Sequence, residues 1–192
     1  MHGHKIINQN GLHFLTMTTV GWVDAFTRQK YREIIIDSLR HCQKYKGLVI
    51  NAYVIMSNHL HLIGYAKEGY ELSAIVRGFK KFTSKQIIQD LIQNTKESRS
   101  EWMLRLLKYY AKYNKNNTTY QFWQQHNQLI ELVSPKWILQ KIAYVHLNPV
   151  RNGIVELAEH YVYSSARQYL GKHGLLEVEV IDLGSLEGYI SI

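Results

Sequence analysis

Apolar residues recur along the chain with two different periods, and the switches between them outline the elements. Residues 12–20 (LHFLTMTTV) are apolar and β-branched, which predicts a strand. Over 27–45 (TRQKYREIIIDSLRHCQKY) the period lengthens, with Tyr31, Ile35, Leu39 and Cys42 on one stripe and Gly47 as a stop, which predicts a helix. Residues 48–56 (LVINAYVIM) are nearly all apolar, the pattern of a strand covered on both faces. Ser57-Asn58 supplies turn chemistry, and 59–66 returns as the hairpin partner. A long helix follows over 72–92, in which Ile75, Phe79, Phe82 and Ile87 face inward while Arg77, Lys80, Lys81 and Lys85 stay in water. The order β-α-β-β-α predicts an α+β fold of the ferredoxin-like (RRM-like) kind, an antiparallel sheet with helices packed on one face.

The pattern then loosens. Residues 94–119 are polar, basic and aromatic, with a helix expected over 101–113 and an Asn-rich loop after it. A strand is expected within 120–133. Ser134-Pro135 reads as an N-cap followed by proline at the first helical position, and that helix is expected to end before Pro149. A short helix near 164–170 and a final strand within the apolar stretch 175–183 complete the chain, which shows no internal repeat.

Composition narrows the class. The 192 residues, 46% of them hydrophobic, suffice for one core and suggest a single domain over 1–192. A formal net charge of +8 points to an anionic partner, nucleic acid first. Cys42 is the single cysteine, which rules out a disulfide framework and a thiolate metal cluster and fits a reducing cytoplasm. The start, MHGHKIINQN, lacks the apolar core of a secretory signal, and no apolar run approaches the roughly 20 residues that span a bilayer, so a soluble cytoplasmic protein without a membrane partner is expected.

The candidate chemistry begins in NAYVIMSNHLHLIGYA. On a strand, alternate side chains share a face, so His59 and His61 stand together while Leu60 and Leu62 enter the core. Two residues apart, their roots are separated by roughly 6.5 Å, from which two imidazoles can lean toward one metal ion. The bare pattern is weak, since His2-Gly3-His4 repeats it near the N-terminus, and same-face histidines can simply bond backbone or water. On the helix after Ser134, Ile138, Leu139, Ile142 and Val145 form one face, and Trp137, Lys141, Tyr144 and Asn148 the other. Tyr144 and Asn148, four positions apart, project the same way, pairing a candidate nucleophile with an amide oxygen suited to a hard cation. Most of the 14 tyrosines, however, need only pack a ring and wet a hydroxyl.

Together, YVIMSNHLHLIGY and the later YVHLNPVRNGIVELAEHYVYSSARQYL resemble the REP-associated tyrosine transposases, single-tyrosine relatives of the small single-strand transposases of insertion sequences. That class, the HUH nucleases, is named for His-hydrophobic-His. The resemblance spans roughly residues 11–170. It implies a metal-dependent transposase that cleaves and rejoins single-stranded or hairpin DNA. His59, His61 and Asn148 would hold a divalent cation, Mg²⁺ or Mn²⁺, and Tyr144 would form a 5′-phosphotyrosine. It also marks 94–119 as an insertion, and leaves both a homodimer with the tyrosine in trans and a tyrosine acting in cis open. Two departures stand out: Ser57 replaces a proline common before the Asn-His turn, and the segment QFWQQHNQLIEL carries His126 near where an acidic residue is expected.

Lys80, Lys81 and Lys85 on the long helix, with Tyr53 and Tyr65 on the sheet, are candidate contacts for phosphates and unpaired bases, as is Arg151 just beyond the tyrosine helix. Two other readings compete. A non-catalytic, domesticated nucleic-acid-binding module of the same fold would leave the histidine pair without purpose. A zinc hydrolase would recruit His126 or His146 to the pair, but His146 falls near the apolar face of its helix, where a packed, satisfied histidine is expected.

Overall fold

The computed structural model describes residues 6–94, 96–114, 119–125 and 128–182. Strand β1 (His13–Thr18) leads through two short 3-10 turns into helix α1 (Gln29–Lys46). The helix is terminated by Gly47, whose φ of 69° is left-handed and suits a residue without Cβ. Strands β2 (Leu48–Ile55) and β3 (His59–Ala66) form the hairpin, followed by helix α2 (Leu72–Gln93). Helix α3 (Ser100–Ala111), strand β4 (Gln128–Glu131) and helix α4 (Pro135–Arg151) complete the regular elements. The sheet order is β2-β3-β1-β4 and every pairing is antiparallel, so the ferredoxin-like α+β arrangement is what the chain adopts, with α4 covering the face opposite α1 and α2 rather than all helices on one face.

Each face of the sheet buries its own core. On one, Leu15 and Met17 of β1, Ile50, Tyr53 and Ile55 of β2, and Leu60 and Leu62 of β3 meet Ile35 and Leu39 of α1 and Ile75, Phe79 and Ile87 of α2. On the other, Phe14, Ala52, Val54 and Ile63 meet Ile142 and Val145 of α4. All eight residues of β2 are buried, as a strand covered on both faces requires. The switch from Ile50 to Ala52 without alternation is a bulge: Ile50 pairs with Gly64 and Ala52 with Ile63, leaving Asn51 extra. Gly64 fits opposite it because a Cβ there would lie 2.3 Å from the Val49 carbonyl oxygen.

The exposed edge of β2 is closed by the C-terminal segment. Ile55 N–H donates to the Tyr163 carbonyl, Tyr161 Oη to the Ile55 carbonyl, Ser165 N–H to the Tyr53 carbonyl and Tyr169 Oη to the Asn51 carbonyl. This covers an otherwise unpaired ladder.

Several expectations need correction. Helix α4 runs through Pro149 to Arg151: a single proline removes one intrahelical bond, and burial of Val145, Asn148 and Pro149 holds the last turn. The expected final strand does not form over 175–182: Glu179 donates its N–H to the Ile50 carbonyl and accepts from the Asn51 and Tyr65 side chains, but no ladder follows, and 183 lies outside the described residues. The 164–170 helix is a 3-10 turn, Ala166–Leu170. Phe82 is exposed, its place in the core taken by Thr83, whose hydroxyl receives the Trp123 indole N–H. Helix α3, within the expected insertion, adds Met103 and Leu107 to the first core.

Candidate active site

His59 and His61 project from β3 on the α4 side of the sheet, because Leu60 and Leu62 occupy the other core. Their rings lie 4.6 Å apart between centroids. Each Nδ1 is engaged. Asn58 Nδ2 donates to the Trp22 carbonyl, which turns its Oδ1 toward the ring of His59, 2.6 Å from Nδ1. His59 therefore donates from Nδ1 and presents Nε2 as a lone pair. His61 Nδ1 lies 2.9 Å from Thr16 Oγ1, a residue that strand pairing sets directly opposite it. His61 Nε2 is buried without a hydrogen-bond partner. Burial pushes both imidazoles toward the neutral form; for His61, with added repulsion from His59 and Lys141, the pKa falls to about 3.

Helix α4 begins as the sequence indicates, with the Ser134 side chain accepting from Trp137 N–H and Pro135 at the first position. It lays Tyr144 against the pair: the phenol ring is 5.1 Å from the His61 ring and 6.0 Å from Phe14, which itself stacks on His61 at 5.3 Å. The Lys141 ammonium lies 4.8 Å from the Phe14 ring centre and 5.4 Å from that of Tyr144. One turn beyond Tyr144, Asn148 is buried, and its Oδ1 accepts from Asn152 Nδ2 while keeping a second lone pair. His59, His61 and Tyr144 are thus gathered within one chain, with Asn148 the next residue along the same helix face.

A divalent cation is consistent with these donors. An imidazole nitrogen buried with nothing to bond is costly unless something binds it, and neutral rings whose Nδ1 atoms are fixed by a hydroxyl and an amide are the form that ligates metals. Among the described residues no group of three or more His, Cys, Asp or Glu is arranged to hold a metal. Among the described residues a third donor would be of another type, as Asn148 is. This also removes His146 from the zinc reading: it is buried, its Nε2 lies 2.7 Å from Ser165 Oγ, and its ring packs on Tyr169. His126, like His2 and His4, lies outside the described residues.

The expected DNA contacts separate. Lys80 does not stay wholly in water: it is half-buried, donates to the Gln124 carbonyl, and burial lowers its pKa to about 8. Lys81 and Lys85 are exposed, but α2 covers the sheet face opposite the histidines. Tyr53 is fully buried and offers no ring to a base, and the Tyr65 hydroxyl donates to Glu179. Arg151 is exposed at the end of α4. Thr16, Asn58 and Lys141 were not singled out as site residues by the pattern. Asn58 stood beside His59 in sequence, whereas Thr16 comes into view only with the strand register.

The buried His146 predicts an acid limb in stability. Burial lowers its pKa from about 6.5 to about 3. Above pH 6.5 neither folded nor unfolded chain protonates it and its contribution is complete. Between about 6.5 and 3 the unfolded chain takes up a proton that the folded one refuses, and stability falls by up to about 1.4 kcal/mol per pH unit. Urea denaturation at pH 7 and pH 5 should show this loss, and His146→Gln should make it smaller.

Residues 12–104 match the family model described as transposase IS200 like. That segment carries the β1, β2 and β3 strands and both site histidines, and over it the chain is similar to the IS200-like transposases. Tyr144 and Asn148 lie beyond the matched residues. None of the curated proteins matches the chain. Among solved structures, a REP-associated tyrosine transposase bound to a REP hairpin superposes with a TM-score of 0.63 at 15% identity, covering 97% of this chain and 94% of that one. A candidate transposase from Deinococcus radiodurans R1 gives a TM-score of 0.42 at 14% identity, covering 76% of this chain and 98% of the other. Among the described residues no helix is long and apolar enough to cross a membrane.

Proposed function

We propose that this chain is an IS200-like transposase of the REP-associated, single-tyrosine type, cleaving and rejoining single-stranded or hairpin DNA through a 5′-phosphotyrosine. The observation that carries the reading is the Tyr144 ring packed 5.1 Å from the His61 ring, whose Nε2 is buried and unbonded. The structure of a similar fold bound to a REP hairpin agrees with such a substrate. Residues 1–192 act as one nuclease domain, with 94–119 an insertion in it.

In this mechanism His59, His61 and Asn148 would hold Mg²⁺ or Mn²⁺. When bound, the cation supplies Lewis-acid polarisation of the scissile phosphate. Tyr144 Oη attacks phosphorus, its proton leaves to solvent, the bond from phosphorus to the 3′ oxygen breaks, and that oxygen takes up a proton. The phosphodiester energy is retained in the tyrosine ester, so a second 3′-hydroxyl can reverse the step. Asn58 keeps His59 in the ligating tautomer, Thr16 orients the His61 ring, and Lys141 sets a positive charge beside the nucleophile. The packing of Tyr144 on His61 of its own chain supports a tyrosine acting in cis.

The test is denaturing-gel analysis of the protein with labelled, hairpin-bearing single-stranded DNA and Mn²⁺. A covalent protein–DNA band supports the reading; binding without any band supports the non-catalytic module instead. Arg151 contacts a phosphate near the cleavage site, whereas Lys81 and Lys85 reach only a distal part of the hairpin. Arg151→Ala should weaken binding across sequences and lower the slope of log affinity against log salt by about 1, measured by fluorescence anisotropy.

A further inference from the structure

Trp22 is held in a conformation that its side chain disfavours. Its φ is 55°, following Gly21 at 59°, and it is the single non-glycine with positive φ among the described residues. For a bulky aromatic this is a real outlier, one that persists only where its surroundings over-determine it. They do so here. Thr19 donates to the Asn58 carbonyl through both N–H and Oγ1, Phe26 N–H donates to the Ser57 carbonyl, and Asn58 Nδ2 donates to the Trp22 carbonyl. On the other side, Gly21 packs so closely on α3 that a Cβ would meet Tyr110 at 2.9 Å. Its neighbours Val20, Val23, Ala25 and Phe26 all enter the core, yet the Trp22 side chain is turned outward and is 64% exposed.

The same Asn58 side chain that fixes the Trp22 carbonyl also fixes the ring of His59 through Oδ1. The Trp22 backbone is therefore tied, by one amide, to His59, one of the residues proposed to hold the metal. An aromatic surface projecting into solvent from a fixed backbone, one residue contact away from a phosphate-processing site, suits one ligand chemistry, the face of an unpaired base. We infer that Trp22 is a stacking platform for an unpaired nucleotide flanking the scissile phosphate. The inference rests on the transposase reading above. It also gives the inserted helix α3 a task, since α3 buttresses the Gly21–Trp22 turn.

The experiment compares affinity of the full chain for a hairpin with a single-stranded flank and for the same hairpin without one. Stacking on one base is worth about 1–3 kcal/mol, or roughly 5- to 150-fold in affinity. Trp22→Ala and Trp22→Gly should each lose at least about fivefold on the flanked hairpin and nothing on the flankless one, with Trp22→Phe recovering most of the loss. Trp22→Gly also controls for folding, because glycine accepts this φ without strain. Equal affinity of the variants and wild type for the flanked hairpin overturns the inference, as does an equal loss on both DNAs. If wild type forms a Tyr144-dependent adduct while the variants match it, the inference fails and the transposase reading stands; if wild type binds neither DNA, both fall.

Discussion

Tyr144→Phe abolishes the covalent protein–DNA adduct and leaves the fold intact: this is the expected result on the proposed chemistry. Phenylalanine keeps the ring, and with it the edge contact to Phe14 at 6.0 Å, the contact with His61 at 5.1 Å and the Lys141 ammonium at 5.4 Å. No hydrogen bond from Oη to another described residue must be broken for the exchange, so stability should stay within about 0.5 kcal/mol of wild type. Cleavage has no such tolerance. The hydroxyl is the atom that bonds phosphorus, and with it gone adduct formation should drop by more than about three orders of magnitude, while affinity for uncleaved hairpin DNA changes little. A gel scored for the shifted band, beside an anisotropy titration of the same protein, separates the two quantities. A band of undiminished intensity in the variant would remove Tyr144 from the role of nucleophile.

The strand that carries the histidines was legible in the sequence because its period of two is strict: Leu60 and Leu62 had to enter a core, so His59 and His61 had to share the opposite face. The side of α4 that meets the sheet was harder to read. The wheel divides Ile142 and Val145 from Tyr144 and Asn148 as if one face were buried and the other wet, yet Asn148 is also buried and Tyr144 partly so. The helix lies on a sheet face whose centre is apolar, at Phe14, Ala52 and Ile63, and whose rim is polar, at Thr16, His59 and His61, so both of its faces find partners.

Residues of dual character misled the pattern in the other direction. Lys80 is charged but its stem and ammonium are drawn inward to the Gln124 carbonyl, and Tyr53, read as a base-stacking ring, fills the first core instead. Side-chain periodicity does not register a carbonyl waiting 44 residues away in sequence. Nor does it register the left-handed backbone at Trp22, which is fixed by bonds from the β2–β3 turn. Local pattern was sufficient where burial alone decides orientation, and insufficient where a distant polar partner does.

His61→Leu is expected to uncouple stability from metal response. In wild type, a buried Nε2 without a partner is a standing cost of about 1–3 kcal/mol, offset when a ligand binds it. Leucine fills a comparable volume between Phe14 and Tyr144 with no polar atom to satisfy, and the Thr16 hydroxyl can turn to another acceptor, so the metal-free variant should melt no lower than wild type. Mn²⁺ should then distinguish the two. At a concentration a hundredfold above its Kd, a ligand that binds only the folded chain stabilises it by about 2.7 kcal/mol, several degrees in Tm for a chain of this size. Wild type should show that rise and His61→Leu should lose it, together with more than about a hundredfold of its cleavage. Differential scanning fluorimetry with and without Mn²⁺ measures the first effect with no DNA present. An equal rise in both proteins would mean that the ion binds elsewhere, and the buried nitrogen of His61 would then need another explanation.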